Sequence, residues 1–370
     1  MTDELRTMSM GMGSLATTKV MGTRTEADIA GFTAGVEVYK RNWDTTSVPN
    51  VNVWVSGLYG EYHKMLGSRL HLHTGLRVDH ATDTARSAGA ATNFYWAYNS
   101  TRSVARTDTN PSGNVWLAYM LPKGTELFMG VGSSVRLPDP QERYFVRKQM
   151  GSDWVGNPSL DPTRNTEIDV GINFRGHRLY VKPTLFYSHL TDFITVHNQP
   201  RVNMTPGVMN SAARSYENVQ ARMYGGEMSY SVGISDALLL LGGVSYTRGV
   251  KDLIPGANIL DRDLAEMPPL KGRMALRYGT RRLFGELEGV AVHAQNQVDS
   301  GLGEQPTSGY GLLNLKAGFH SENWRLTGGI DNLLDRFYYE PFSYQRDPFR
   351  SGVRIPEPGR NIYCIVSYRF

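Results

Sequence analysis

Hydrophobic and polar residues alternate with a period of two along most of the chain. Between Leu70 and Asp79 the even positions are Leu, Leu, Thr, Leu and Val, and the odd positions are polar or Gly. The same alternation recurs in 167–175, 313–320 and 361–370. Since successive side chains of a strand point to opposite faces, each segment has one apolar and one polar face. No segment keeps the 3.6-residue period of an amphipathic helix, so the pattern predicts an all-β protein.

The predicted connections alternate between short turns and long polar loops. Short turns are expected at 67–68, 123–124, 176–177, 235–236, 281–282 and 322–323. Long loops are expected around 84–109, 138–163, 197–211, 251–267, 300–308 and 343–358. The strands fall at roughly 14–28, 31–46, 51–66, 69–84, 110–122, 125–137, 164–175, 178–196, 212–234, 236–250, 268–281, 282–299, 309–321, 323–342 and 359–370. About fifteen strands of roughly 10 to 18 residues, against 5–6 in soluble sheets, predict an antiparallel transmembrane β-barrel of the outer-membrane type.

Two soluble β architectures, the sandwich and the propeller, are the alternatives to a barrel. They have shorter strands joined by evenly short loops, and the chain shows no repeat of about 40–50 residues that a propeller needs. A mean hydropathy of −0.37 and the lack of any apolar run of about 18 residues exclude membrane-spanning helices. Neither fact argues against a barrel, because half of the residues in a barrel strand face a polar lumen.

Composition and motifs exclude several other classes of protein. The single cysteine, Cys364, permits neither a disulfide framework nor a cysteine-rich zinc site. The net charge of +4, without any run of Lys or Arg, gives no indication of nucleic-acid binding. The chain has no nucleophile elbow, zinc-protease helix motif, P-loop or dinucleotide-binding motif. The sequence therefore predicts no enzyme and no catalytic residue.

Two stretches of sequence resemble the signatures of a known family. The first comprises 136–138 (RLP), 142–144 (ERY) and 156–162 (GNPSLDP). The second comprises 331–338 (DNLLDRFY), 357–361 (EPGRN) and the terminal Tyr-Arg-Phe. Together they resemble the arginine-proline, glycine-asparagine-proline and C-terminal boxes of TonB-dependent outer-membrane receptors. The likeness extends over most of the chain.

The resemblance implies a fold, a location and partners. Such receptors lie in outer-membrane lipid as 22-stranded barrels closed by an N-terminal plug, and they contact TonB through the region before the barrel. Residues 1–370 are therefore expected to form a single barrel domain whose plug and first strands are missing, in a truncated gene or a fragmentary sequence. Phe370 resembles the signal that the barrel assembly machinery recognises. The implied function is active uptake of a scarce nutrient, with no resident cofactor.

The N-terminal segment indicates which ligand is transported. Met8, Met10 and Met12 lie two residues apart, and with 34–44 and 343–349 they resemble the TonB-dependent copper receptors. A thioether is a soft, uncharged ligand that suits Cu(I). In an extended segment this spacing puts all three side chains on one side. The alternative is a flexible Gly-, Ser- and Met-rich loop whose methionines pack on neighbouring residues.

Other residues are further candidates for ligand binding. His71 and His73 share the polar face of one strand and can chelate a metal, although polar side chains are expected in any barrel lumen. The second hypothesis is a ferric-siderophore or cobalamin receptor, which binds a bulky ligand through aromatic and basic loop residues. Those residues would be Arg143, Tyr144, Arg147 and Trp154. The third hypothesis is a plugless, porin-like channel that closes with fewer strands.

Overall fold

The computed structural model describes most of the chain as one large sheet of eighteen strands, antiparallel except where 153–154 pairs in parallel with 213–214. The described residues are 2–11, 14–29, 31–45, 47–86, 88–253, 262–342 and 354–370. Within these ranges, side chains are described for 23–27 and from Gly31 onward. Met12 and the segment 343–349, which entered the copper hypothesis, lie outside the described residues.

The strands are long at both ends of the chain and short only within one loop. Strands β1 to β7 are Thr2–Gly11, Ser14–Ile29, Phe32–Asp44, Val51–Leu66, Leu70–Ala85, Ala105–Met120 and Glu126–Arg136. The short strands are β8 (Val146–Arg147) and β9 (Asp153–Val155). Strands β10 to β18 are Thr163–Arg175, Leu179–Pro200, Ala212–Gly233, Leu238–Lys251, Lys271–Gly279, Leu283–Val292, Tyr310–His320, Trp324–Asp331 and Asn361–Tyr368.

Each long strand pairs antiparallel with the next long strand along the chain. Strand β7 pairs with β10, so β8 and β9 belong to a long loop between two neighbouring strands of the barrel wall, the meander of long strands. The meander confirms the predicted antiparallel barrel fold. The prediction of about fifteen strands left out three: the short β8 and β9, which lie inside a predicted loop, and β1, whose Thr, Ser, Gly and Met residues show no apolar face. The β1 segment becomes a strand because it pairs with β2 along its whole length.

Two of the predicted loops contain α-helices, and the loop 300–308 begins with a 3-10 turn (Ser300–Leu302). Helix α1 (Ala91–Asn99) buries Phe94, Tyr95 and Tyr98. Helix α2 (Pro140–Tyr144) begins with a capping box, in which the Asp139 carboxylate accepts from the Gln141 N–H and the Glu142 carboxylate accepts from the Asp139 N–H. None of the described helices is long and apolar enough to cross a membrane. Both helices therefore belong to the connections and leave the wall to the strands.

The strand register decides which face of the wall is turned outward. Leu58 on β4 lies opposite Val78 on β5, and the two side chains are 63% and 47% exposed. Tyr59 lies opposite Arg77 on the other face, with the guanidinium 5.7 Å from the ring centroid. An exposed apolar face and an ion-paired inner face are the arrangement of a barrel in lipid. The alternation predicted for this segment is therefore confirmed.

Long connections and short turns lie at opposite ends of the sheet. Since consecutive strands are antiparallel, the connections after β3, β5, β7, β11, β13, β15 and β17 all leave the same end. At the other end the strands are joined by turns such as 67–69 and 176–178. In outer-membrane barrels the long loops face the exterior and the short turns face the periplasm. The long-loop end of this sheet therefore corresponds to the exterior end of such barrels.

Candidate functional site

The loops after β5, β7 and β11 pack into one hydrophobic cluster at the long-loop end, here called the loop core. Its buried members are Val48, Val51, Ala85, Ala88, Phe94, Tyr95, Ala97, Tyr98, Tyr144, Phe145, Trp154, Val155, Leu160, Ile194, Val208, Ala213 and Tyr216. Burial of so many aromatic side chains stabilises the loops strongly, since each removes a large apolar area from water. The outer end of the barrel is therefore a packed platform.

An ion-pair network around Arg143 lies inside the loop core. The Arg143 side chain is 2% exposed, and its Nη1 donates to Asp83. Its Nη2 donates to Asp108 at 2.9 Å and to the carbonyl oxygen of Leu160 at 2.8 Å. The Tyr144 hydroxyl donates to the other oxygen of Asp83 at 2.5 Å. The network thus joins helix α2 to the wall strands β5 and β6.

Burial and charge act in opposite directions on Arg143. Burial lowers the pKa of its guanidinium, but Asp83 and Asp108 outweigh that effect, so the pKa is raised. Burial and the charge of Asp83 both raise the pKa of the Tyr144 hydroxyl, which therefore remains a donor. The hydrogen bonds of both side chains are directed into the protein. A direct contact of Arg143 or Tyr144 with a transported ligand stays a prediction.

Trp154 is the aromatic centre of the same platform. Its ring lies edge-on to Phe145 at 6.2 Å and tilted to Tyr216 at 6.3 Å, and the guanidinium of Arg214 is 5.4 Å from its centroid. Trp154 pairs with Arg214 of the wall strand β12 and with Arg147 of β8. Arg147 is exposed at the surface. Of the four residues predicted to bind ligand in the loops, Arg147 alone is exposed, and its role stays a prediction.

Three methionines project into solvent from these loops. Met150, Met204 and Met209 are 102%, 81% and 88% exposed, although methionine is among the residue types most often fully buried. The two loops that carry them touch, since the side-chain amide of Asn210 donates to the Gln149 carbonyl at 2.8 Å. We call this surface the methionine rim. Sequence reasoning missed it because the residues belong to two separate loops, and no local spacing joins them.

The inner face of the wall is polar, as predicted for a lumen. An open recess of about 740 Å³ extends along strands β2, β4 to β7 and β10. Arg77 pairs there with Glu37 at 3.0 Å and with Asp79 at 2.6 Å. His73 lines the same recess. The charge of Arg77 is thus balanced by carboxylates of the same wall.

The predicted metal ligands do not lie at the rim. His71 and His73 are exposed on the lumen face of β5, close to the short-turn end. Met8 and Met10 lie in the extended strand β1, as the spacing of two assumes, and Met12 lies outside the described residues. Among the described residues no three His, Cys, Asp or Glu side chains are grouped to hold a metal ion. Metal binding by these residues stays a prediction.

Gly156 is a position where the loop core tolerates no side chain. A Cβ at Gly156 would lie 2.6 Å from the carbonyl carbon of Arg143 and 2.8 Å from the nitrogen of Tyr144. The Gly156 N–H donates to the Phe145 carbonyl at 2.7 Å, so the backbone cannot withdraw without losing that bond. Gly156→Ala is expected to destabilise the loop core by about 1–3 kcal/mol. The measurement is the rate of tryptic cleavage in the outer loops.

Gly89→Ala is the matched control for this prediction. Gly89 lies in the loop after β5, and a Cβ there has no atom within 4 Å. Cleavage of the Gly89→Ala protein should match that of the unchanged chain. Equal cleavage of the Gly156→Ala protein would show that the close approach is not a constraint.

A meander of long strands with an apolar outer face, a polar lumen and packed outer loops defines an outer-membrane β-barrel. Residues 10–333 match the model of the TonB dependent receptor-like beta-barrel family, and the chain therefore belongs to this family. The match confirms the resemblance drawn from the two motif regions. Members of the family are transporters and not enzymes, in agreement with the sequence prediction.

Several solved structures share the fold. The copper transporter OprC has a TM-score of 0.76 and 23% identity, over 96% of this chain and 57% of its own. The FrpB iron transporter from Neisseria meningitidis (F3-3 variant) has a TM-score of 0.69 and 13% identity, over 96% and 55%. The ferric-catecholate import receptor Fiu from E. coli K12 has a TM-score of 0.65 and 15% identity, over 96% and 55%. The chain thus spans a little more than half of each of these proteins. No curated protein matches the sequence.

Proposed function

We propose that this chain forms the wall and the outer capture surface of a TonB-dependent receptor that imports copper. Membership of the receptor family supports nutrient uptake, and the likeness to a copper transporter suggests the cargo. The observation that carries the choice of copper is the methionine rim, with three solvent-exposed thioethers on two outer loops that touch each other. Their chemistry selects Cu(I), because soft, neutral sulfur ligands bind it and discriminate against hard cations.

The platform beneath the rim gives it a defined position. The Arg201 guanidinium donates to the carbonyls of Val208 and Met209 at 2.9 and 3.2 Å. The Tyr98 hydroxyl donates to the Asn210 carbonyl at 3.1 Å. These bonds fix the backbone on which Met209 stands, while its thioether stays in water. A site of this kind captures an ion and also releases it, since exposed thioethers bind more weakly than an enclosed thiolate site.

Transport beyond capture involves the whole receptor. In the proposed cycle the ion passes from the rim into the lumen, whose wall is polar. TonB and a plug supply the energy coupling, and outer-membrane lipid surrounds the apolar face of the strands. Insertion by the barrel assembly machinery through Phe370 is part of the same proposal.

A ferric-siderophore receptor is the second candidate. The observation that favours it is the pair of exposed cationic residues, Arg147 and Lys148, next to Met150 on the rim. An anionic ferric catecholate would bind such cations, whereas Cu(I) would not. The two candidates thus place ligand binding on the same surface but on different side chains: thioethers for copper and cations for a ferric catecholate.

Replacement of the rim methionines is expected to remove copper binding. The triple variant Met150→Leu, Met204→Leu, Met209→Leu keeps the apolar volume but has no sulfur lone pairs. Its affinity for Cu(I) should fall by at least about tenfold, the scale on which metal sites respond to the loss of a supporting group. Competition titration of the full chain in detergent micelles, with Cu(I) kept reduced by ascorbate, gives the affinity.

The control pair is Met129→Leu and Met274→Leu. Both methionines are exposed, at 45% and 56%, but they stand on the lipid face of β7 and β14. Their replacement should leave Cu(I) affinity unchanged. If the triple variant binds Cu(I) as the unchanged chain does, and the chain binds a ferric catecholate through Arg147 and Lys148, the copper proposal is wrong.

A further inference from the structure

Two histidines stand directly opposite each other at the short-turn end of the lumen wall. The register of β4 and β5 pairs His63 with His73, and the next pair toward the turn is Met65 with His71. All four side chains are exposed. They belong to the same alternation as Tyr59 on β4, which faces the lumen recess. These four side chains therefore share the lumen face, on two rungs of one ladder.

The spacing of the ladder suits chelation. Residues directly opposite each other on one face of an antiparallel pair have Cβ atoms about 4.5–5.5 Å apart. From that separation two imidazoles can both reach one ion at about 2.0–2.1 Å, the usual metal–nitrogen distance. His71 and His73 alone, two positions apart on one strand, are separated by about 6.6 Å along the strand. The cross-strand pair is thus a better chelate than the pair predicted from sequence.

The neighbouring strand supplies a wall for this pair. Trp116 of β6 lies opposite His73 on the other side, and Ala118 lies opposite His71. The Trp116 ring stacks on Phe128, with centroids 4.9 Å apart. One side of the histidine pair is therefore aromatic, and the other side faces the lumen. A metal bound there keeps open positions from which it can be passed on.

The histidine pair lies at the end of the barrel opposite the outer loops. His63 and Met65 lie within the last four residues of β4, before the turn 67–69, at the end opposite the methionine rim. The imidazoles are borderline ligands and the thioether of Met65 is a soft ligand, a combination that suits copper in both oxidation states. A chelate of two imidazoles and one thioether needs no third His, Cys or carboxylate, so it agrees with the lack of such a triad among the described residues.

We propose that His63 and His73, with Met65 as a third ligand for the reduced ion, form a copper-binding site on the lumen wall at the short-turn end. The site deepens the proposed function, since it lies at the far end of the same copper path, where an ion leaves the barrel for the periplasm. His71 lies opposite Met65 on the next rung of the ladder.

The test uses the full chain without a histidine tag, in detergent micelles, titrated with Cu(II) sulfate. Electron paramagnetic resonance should show one bound Cu(II) with nitrogen ligands in the unchanged chain. His63→Gln with His73→Gln should remove that signal, and His73→Gln alone should lower the affinity at least about tenfold. His177→Gln is the matched control, because His177 is exposed at another short turn.

Met65→Leu separates the two kinds of ligand. It should leave the Cu(II) signal intact and lower the affinity for Ag(I), a soft ion that does not change oxidation state. Persistence of the nitrogen-ligated signal in the double histidine variant, or its loss in His177→Gln, would overturn the site. Heat-modifiable gel mobility confirms that each variant is folded, and the single His73→Gln variant decides the matter if the double variant does not fold.

Failure of this site is distinguishable from failure of the proposed function. The rim is read out with Cu(I) and methionine variants, and the lumen site with Cu(II) and histidine variants. If the unchanged chain shows no histidine-bound Cu(II) but its rim binds Cu(I), the lumen site is wrong and the proposal of copper capture at the rim remains supported. If Cu(II) binds at the histidines but the methionine variants leave Cu(I) affinity unchanged, the methionine rim is not the capture surface.

Discussion

Arg143→Met is expected to destabilise the packed outer loops by about 3–5 kcal/mol, because it leaves the buried Asp83 carboxylate without its cation and Asp108 with only Arg106, 3.7 Å away. Asp83 is 6% exposed and loses the Nη1 donor. The Asp108 side chain is 8% exposed and loses the Nη2 donor, and the Leu160 carbonyl loses its hydrogen bond. Methionine fills most of the volume of the arginine side chain, so the change in stability reports mainly the loss of the charge and its hydrogen bonds.

The measurement for Arg143→Met is hydrogen exchange of backbone amides in α2 and β9, supported by urea unfolding. Amides of these segments should exchange faster, while amides in the middle of β10 and β11 should keep their rates. Local exchange is the suitable observable, because loops and wall open with different free energies.

Arg136→Met is the matched control. Arg136 also pairs with a carboxylate, Glu142, at 2.9 Å, but its side chain is 49% exposed. An exposed pair of this kind contributes about 0–1 kcal/mol, so the loops should be almost unchanged. If Arg143→Met and Arg136→Met have equal effects, the buried network does not stabilise the loops.

The wall of the barrel could be predicted from sequence because its strands are determined by patterns among residues that are close together in the chain. Alternation of period two determines the face of each side chain, and the short turns determine where a strand ends. Strand β5 illustrates this, with Leu76 outward and Arg77 inward as the alternation predicts. Strand β1 could not be predicted, because it depends on pairing with β2 and has no apolar face of its own.

The helices of the loop core were harder to predict. Helix α1 is only nine residues long, and buried aromatics surround it on more than one side, so no amphipathic period is visible. Helix α2 did have a local signal. Asp139 followed by Pro140 and Glu142 is a capping box with proline in the first turn, a pattern that the amino-acid sequence displays by itself.

The chemistry of the site depends on contacts that are remote in sequence. The motif 142–144 drew attention to Arg143 and Tyr144, but their partner Asp83 lies 60 and 61 positions away. The methionine rim likewise arises only where two loops touch. Local patterns therefore identify important residues, whereas tertiary pairing decides whether they hold the structure or face a ligand.

Leu76→Arg is expected to cost about 2–4 kcal/mol of folding free energy in a bilayer, the cost of a cation on the lipid face near the midplane. Leu76 is 73% exposed and lies near the middle of β5, on its apolar outer face. Folding of the chain into phospholipid vesicles, followed by tryptophan fluorescence across a urea series, gives the free energy.

Asn114→Arg is the control on the opposite face. Asn114 pairs with Gly75, the neighbour of Leu76, and lines the lumen recess, where an arginine stays hydrated. Its replacement should therefore change the free energy of folding by much less than Leu76→Arg. A slip of one residue in register would exchange the two faces along the whole strand. A larger cost for Asn114→Arg than for Leu76→Arg would reveal such a slip. It would also remove the lumen position of His63 and His73, because the same register places them there.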